Sequence, residues 1–236
     1  MTASPPPTPV VFASGQLLTP ELWGPTAAAL ADRPLSFADN QSDDTVQAMA
    51  ERLLADAPPR FDLLAHAMGG FVAFAVMRTA PDRVRRLALL STLAPADTPV
   101  QTVRREGYLR LVEAGRFDEV VEERLPILLH PARREDPTFT TLARHMAAET
   151  GPETFLRQQR AIMTRPDSRP GLPAIVCPTL VIAGRQDGIV TQAHQDEIAS
   201  GIPDARLEWL EHCGHLITVE QPAAVNALLR AFLDAP

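Results

Sequence analysis

The chain contains no lysine; all 22 of its basic residues are arginine. A Schiff-base lysine is therefore excluded, and its basic side chains are all permanently charged guanidinium groups. Cysteine is nearly absent too. Cys177 and Cys213 each sit beside a stretch that reads as a core strand, not in a spaced disulfide framework. They read as reduced thiols of a cytoplasmic protein. No run approaches the roughly 18 apolar residues that a membrane span needs. The opening residues, MTASPPPTP, lack a basic region and an apolar stretch, so they read as a short lead and not a signal peptide. Positive charge is outnumbered as well: the net charge is −7, which argues against nucleic acid or an anionic membrane as partner.

What the sequence does have is a core. Hydrophobic residues make up 45% of 236 residues and are spread along the whole length, enough for one large α/β domain or two small ones. Short apolar runs alternate with longer amphipathic ones. Strands are expected at 10–13, 35–38, 61–65 and 84–91. Helices are expected at about 19–31, capped by Thr19 with Pro20 at the first helical position, at about 43–56 behind Ser42 or Asp43, and at 69–80. The continuous run Leu87-Ala88-Leu89-Leu90 suggests a strand buried on both faces.

From about 94 to 172 no convincing strand is found. Proline-broken helical stretches fill this span, and 12 Arg balance 12 acidic residues between 96 and 171. The remaining 10 basic and 17 acidic residues carry the whole net charge. Alternation then resumes, with strands at 179–183 and 206–210 and helices at 192–200 and 223–233. The pattern predicts a mostly parallel sheet flanked by helices. Residues 1–95 and 172–236 form the core, and 96–171 form a helical cap over the carboxyl ends of the strands, where ligands bind in such sheets.

Three expected strand ends carry candidate chemistry. The first is Leu63-Leu64-Ala65-His66-Ala67-Met68-Gly69-Gly70, between a strand and a helix. It has the shape of the sharp turn that carries a catalytic serine in G-x-S-x-G, with Ala67 where the serine belongs. The second is Gly184-Arg185-Gln186-Asp187-Gly188 and the third Cys213-Gly214-His215. Taken singly, Asp187 reads as an ordinary turn residue, His215 as a surface or capping histidine, and Ala67 as helix–sheet packing. The joint order of nucleophile position, Asp and His, each at a strand end and with a helical insert between, is what singles them out.

With those residues in place, the sequence resembles an α/β-hydrolase of the small capped carboxylesterase group, which includes pimeloyl-carrier-protein methyl ester esterases and enol-lactone hydrolases. The matching segments are SGQLLTPELW (14–23), AHAMGGFVAFAVMRTAPDRVRRLALLST (65–92), PTLVIAGRQDGIV (178–190) and CGHLITVEQP (213–222). The resemblance implies the α/β-hydrolase fold with an α-helical cap, acting on a carboxylic ester or lactone. Ala67 takes the nucleophile position, Asp187 matches the acid and His215 the base. The backbone N–H groups of Gln16 and Met68 match the oxyanion hole, each worth about 3–4 kcal/mol to a transition state in a comparable site. Substrate contacts are expected from Leu17, Ile189 and Leu216 near the loops and from Tyr108, Phe139 and Phe155 of the cap. No metal or organic cofactor is implied. The chain departs from the family in having Ser14 where a His is usual, and in starting almost at the family's third strand. An acidic carrier protein at the cap is a candidate partner beside the small-molecule substrate, with Arg104, Arg105, Arg110, Arg157 and Arg160 able to bind an anion or pair with nearby glutamates; the state is monomer or homodimer.

No neighbour in the turn replaces the serine, since His66 is expected to point away from the acid–base pair. The same machinery serves C–C bond hydrolases and thioesterases. Ala67 marks either a serine replaced to trap a ligand, leaving an inactive variant, or a natural non-catalytic binding protein. The retained Asp187, His215 and glycine-rich turn favour the first.

Overall fold

The computed structural model describes residues 7–235. Most of the lead read from MTASPPPTP thus lies outside the described residues. The core is a six-stranded sheet, parallel throughout. In chain order the strands are β1 (Val10–Ala13), β2 (Leu35–Phe37), β3 (Phe61–His66), β4 (Val84–Leu90), β5 (Thr179–Gly184) and β6 (Arg206–Leu210). Their spatial order is β2-β1-β3-β4-β5-β6. The helices are α1 (Gly24–Ala29), α2 (Val46–Asp56), α3 (Met68–Thr79), α4 (Pro99–Glu113), α5 (Phe117–Leu128), α6 (Pro137–Met163), α7 (Gln192–Gly201), α8 (Ile217–Glu220) and α9 (Pro222–Leu233).

Alternation along the strands builds the two sides of the core. Val11, Ala13, Leu63, Ala65, Leu87, Leu89 and Val181 pack with α2, α3 and α7. Val10, Phe12, Leu64, Ala88, Leu90, Leu180 and Ile182 pack with Leu22 and Trp23 ahead of α1 and with α8 and α9. Both faces of the central strands are covered, which is why β3 and β5 are buried along their whole length.

The chain turns from β1 outward to β2, then returns to β3 and proceeds the other way to β6. The connections leaving β1 and β3 therefore diverge, opening a crevice at their carboxyl ends. Ala13 pairs with Ala65, so the segments after them lie side by side at that crevice. Helices α4, α5 and α6 lie between β4 and β5 in the chain, where the helical insert is expected. Their own apolar centre includes Tyr108, Val112, Val120, Val121, Ala147 and Phe155.

Several local expectations are corrected. The helix expected at 19–31 is a 3-10 turn, Pro20–Trp23, followed by α1, with the Thr19 cap retained. Pro25, lacking an N–H, interrupts a single continuous helix. Thr45 caps α2, accepting from the Ala48 amide at 3.1 Å. The expected caps are used otherwise: Asp43 accepts from Arg52 and Ser42 donates to Asp39. Pro126 lies within α5, while Gly151, at φ 76° ahead of Pro152, kinks α6. Helix α8 was not expected; four residues are too few for a periodic signal.

Gly69, in the first turn of α3, touches β1: a Cβ there would overlap the Ala13 carbonyl. Gly107, inside α4, has open space at the corresponding point. Gly69→Ala is expected to lower stability by about 1–3 kcal/mol or more, and Gly107→Ala to leave it equal or slightly higher, both read from urea midpoints.

Candidate active site

The turn after β3 holds Ala67 at φ 51° and ψ −114°, backbone that an alanine adopts only under constraint. The constraint is visible. The Ala67 carbonyl accepts from the Thr92 hydroxyl at 2.7 Å and from the Gly70 amide at 2.9 Å. Its amide donates to the Leu90 carbonyl at 3.0 Å. A Cβ on Gly70 would run into Thr92, so the glycine pair of the turn is required by close packing on two sides. Met68 is the first residue of α3, and a helix's first amides have no partner within it.

The segment after β1 is tied down from three directions. Asn40 donates to the Ser14 carbonyl at 2.7 Å, and the Trp23 indole donates to the Ser14 hydroxyl at 3.1 Å. Gln158, fully buried on α6, accepts from the Leu17 amide at 3.1 Å and donates to the Asn40 carbonyl at 3.0 Å. Leu17 itself has φ 59°. These bonds place Gln16 beside the Ala67 turn; a Cβ on Gly15 would meet Ala67 Cβ at 3.0 Å.

Asp187 and His215 come together although 28 residues apart. His215 Nδ1 lies 2.7 Å from a carboxylate oxygen of Asp187, and both side chains are almost wholly buried. The other carboxylate oxygen accepts from the amides of Ile189 at 2.7 Å and Val190 at 3.0 Å. Burial works to raise the Asp187 pKa. The adjacent His215, its hydrogen bond and the two amides outweigh that and hold the carboxyl below its ordinary value. An ionised Asp187 fixes the proton on Nδ1 and leaves Nε2 as the basic atom, the arrangement of a general base.

Ala67, Met68, Gln16 and His215 line one cavity of about 280 Å³, at the small end of ligand pockets, which run roughly 300–1,000 Å³. Ile189 is in its wall, and the cap contributes Ile127 and Ile162. The other expected substrate contacts are placed elsewhere. Tyr108, Phe155 and Leu17 form the seam between cap and core, and the Tyr108 hydroxyl donates to Glu123. Phe139 packs against the second side of the core beneath the Arg133 guanidinium, and Leu216 is fully buried. A three-layer fold must bury its large cap hydrophobes to hold the layers together, which leaves few of them for a ligand. Among the arginines singled out, Arg104 and Arg105 reach the cavity, and Arg157 donates to Gln41. Sequence reasoning missed Arg124, a cavity residue, and the tethers Asn40 and Gln158; their side chains act across the fold and leave no local pattern.

His66 does not turn away from the pair, as its neighbouring position suggested. It faces the same side of the sheet as Leu64, where its Nε2 donates to the His215 carbonyl at 2.8 Å and the two rings lie 4.9 Å apart. Burial, with His215 acting in the same direction, pushes its pKa down to about 3. The unfolded chain protonates this histidine near pH 6.5, the folded chain only near pH 3. Its contribution to stability is full above pH 6.5 and is lost as pH falls toward 3, at no more than about 1.4 kcal/mol per pH unit. His66→Gln, which keeps a donor for the His215 carbonyl, should flatten the stability profile between pH 6 and 4 in urea titrations. An unchanged slope would remove His66 as its source.

The fold is that of an alpha/beta hydrolase, and the comparison with known proteins agrees. The chain belongs to the alpha/beta hydrolase family, whose sequence profile matches residues 10–228. It is 26% identical over 248 residues to a protein of Azorhizobium caulinodans named as carbamate hydrolase RutD, covering 95% of this chain and 91% of that one. A thermophilic esterase from Thermogutta terrifontis, solved with malate bound, superposes with a TM-score of 0.88 at 28% identity, over 96% of this chain and 89% of that one. The enol-lactonase of Burkholderia xenovorans LB400 has the same fold, with a TM-score of 0.86 at 23% identity over 100% and 94% of the two chains. Among the described residues no helix is long and apolar enough to cross a membrane.

Proposed function

We propose that this chain is built on the site of a carboxylic ester or lactone hydrolase of the Ser-His-Asp kind, with alanine at the nucleophile position. The observation that carries the reading is the buried His215–Asp187 pair at 2.7 Å, sharing a cavity with the constrained Ala67 turn. In a serine form, His215 takes the proton from the hydroxyl at 67 as it attacks the carbonyl. Asp187 holds the ring and stabilises the imidazolium, and the amides of Gln16 and Met68 receive the oxyanion. His215 then returns the proton to the leaving alcohol, and water releases the acid by the same route. Without the hydroxyl no acyl-enzyme forms. The esterase and lactonase neighbours and the relatives named as carbamate hydrolases all point to an acyl carbon as the reacting centre.

Ala67 itself favours a second reading, in which the chain binds its ligand without turning it over. One experiment separates the two. On a panel of nitrophenyl esters, thioesters, lactones and carbamates, Ala67→Ser should gain on the order of 10³-fold or more in kcat/KM over the chain as it stands. A folded but inert serine form supports the binder. In the Ala67→Ser background, Asp187→Asn should lose on the order of 10⁴-fold in kcat, because the ring loses the partner that fixes its tautomer.

A further inference from the structure

The segment after β1 owes its shape to side chains from elsewhere in the chain. Leu17 stands at φ 59°, left-handed backbone that a leucine adopts only where its surroundings hold it, at about 1–3 kcal/mol. Two contacts with the inserted helices do so. The Leu17 side chain packs in the apolar centre of the insert with Tyr108, Val112 and Phe155. The Leu17 amide donates to Gln158 Oε1 on α6 at 3.1 Å.

Gln158 is fully buried, and both ends of its amide are used. Its Nε2 donates to the Asn40 carbonyl at 3.0 Å, and Asn40 Nδ2 donates to the Ser14 carbonyl at 2.7 Å. These bonds close a circuit through residues 14, 40, 158 and 17. The peptide that carries the Gln16 N–H is the span between the two anchored ends, Ser14 and Leu17. Arg157, next to Gln158, donates to the Gln41 carbonyl at 2.8 Å. One turn of α6 therefore fixes the loops after β1 and after β2 together. Gln16 lines the cavity, whereas Gln158 lies outside its wall.

We infer that Gln158 is a positioning residue for the oxyanion hole, so that the Gln16 donor is in place only while the inserted helices are seated on the core. The inference rests on the hydrolase reading above, which gives the Gln16 amide that role. An oxyanion donor works at about 2.7–3.1 Å from the developing charge, and a displacement of about 1 Å at such a site costs on the order of 10²-fold. Removing the Gln158 amide leaves the Leu17 N–H and the Asn40 carbonyl buried without partners, and the span between the anchors loosens. Gln158 touches no ligand, so the loss falls on the transition state and not on ground-state binding.

The experiment uses two backgrounds. In the alanine chain, Gln158→Met should speed hydrogen exchange of the Leu17 amide by about tenfold or more, read by NMR. In the Ala67→Ser background, Gln158→Met should lose on the order of 10²-fold in kcat on p-nitrophenyl butyrate, with KM within about twofold. Gln158→Glu keeps an acceptor for Leu17 and, while protonated, a donor for Asn40. Burial raises the pKa of such a carboxyl. Its kcat should therefore stay within about tenfold of the Ala67→Ser parent near about pH 6, and the ratio to the parent should fall as pH rises. This variant also serves if Gln158→Met does not fold. An unchanged kcat in Gln158→Met, or a loss confined to KM, overturns the inference. So does a Gln158→Glu form as slow as Gln158→Met at every pH, since packing and not the amide would then hold the loop. Ala67→Ser with no turnover at all removes the hydrolase reading and the role of Gln16 with it. Exchange of the Leu17 amide in the alanine chain reports separately on whether Gln158 holds the loop.

Discussion

The close approach of α3 to β1 governs the geometry of the site. With no side chain at Gly69, the first turn of α3 lies directly on the Ala13 carbonyl, and Gly70 does the same against Thr92. That contact bends the chain sharply at the end of β3 and forces Ala67 into φ 51°. It sets the Met68 amide at the crevice between β1 and β3, opposite Gln16. The backbone strain at one alanine, of about 1–3 kcal/mol, is carried by this packing. The turn is held by three hydrogen bonds.

Electrostatics divides the cavity into two ends. On the core side, a buried carboxylate is kept ionised by its histidine and two amides, and the histidine presents its basic nitrogen. On the cap side, arginines gather without acids. Between them stand apolar walls from Ile127, Ile162, Ile189 and Phe71. The helical insert is also bonded to the loop after β1. Gln158 of α6 holds the segment that carries Gln16, and Asp97, at the entry to the cap, is bonded by Arg105 and Arg165. Movement of the cap would thus be felt at both ends of the cavity.

Much of this was legible in the chain. β1 and β6 fall where the alternation places them, and the other strands agree to within a residue or two, since buried parallel strands make short unbroken apolar runs. Ala67, Asp187 and His215 are legible as candidates because each follows the end of a strand and their order carries meaning; the structure pairs His215 with Asp187 and puts Ala67 in the same cavity as His215. Legibility failed where partners are distant. Thr45 and not Ser42 or Asp43 caps α2: Thr45 adjoins the first helical residue, while Asp43 is taken by Arg52 and Ser42 by Asp39. Phe155 and Tyr108 look like ligand contacts in the sequence and are packed in the apolar centre of the inserted helices, against Leu17 of the core, in the fold.

The sequence by itself determined the class of fold, the strand ends that carry the candidate residues, the absence of a hydroxyl at 67 and the use of arginine without lysine. These are properties of residue type and short-range period, readable without contacts. Tertiary structure alone decided which arginines go unpaired, that His66 packs against His215 instead of turning away, and which hydrophobes face a ligand. Those outcomes depend on groups far apart in the chain, His66 and His215 by 149 residues and Leu17 and Gln158 by 141, and pairing over such separations leaves no period in the sequence to read.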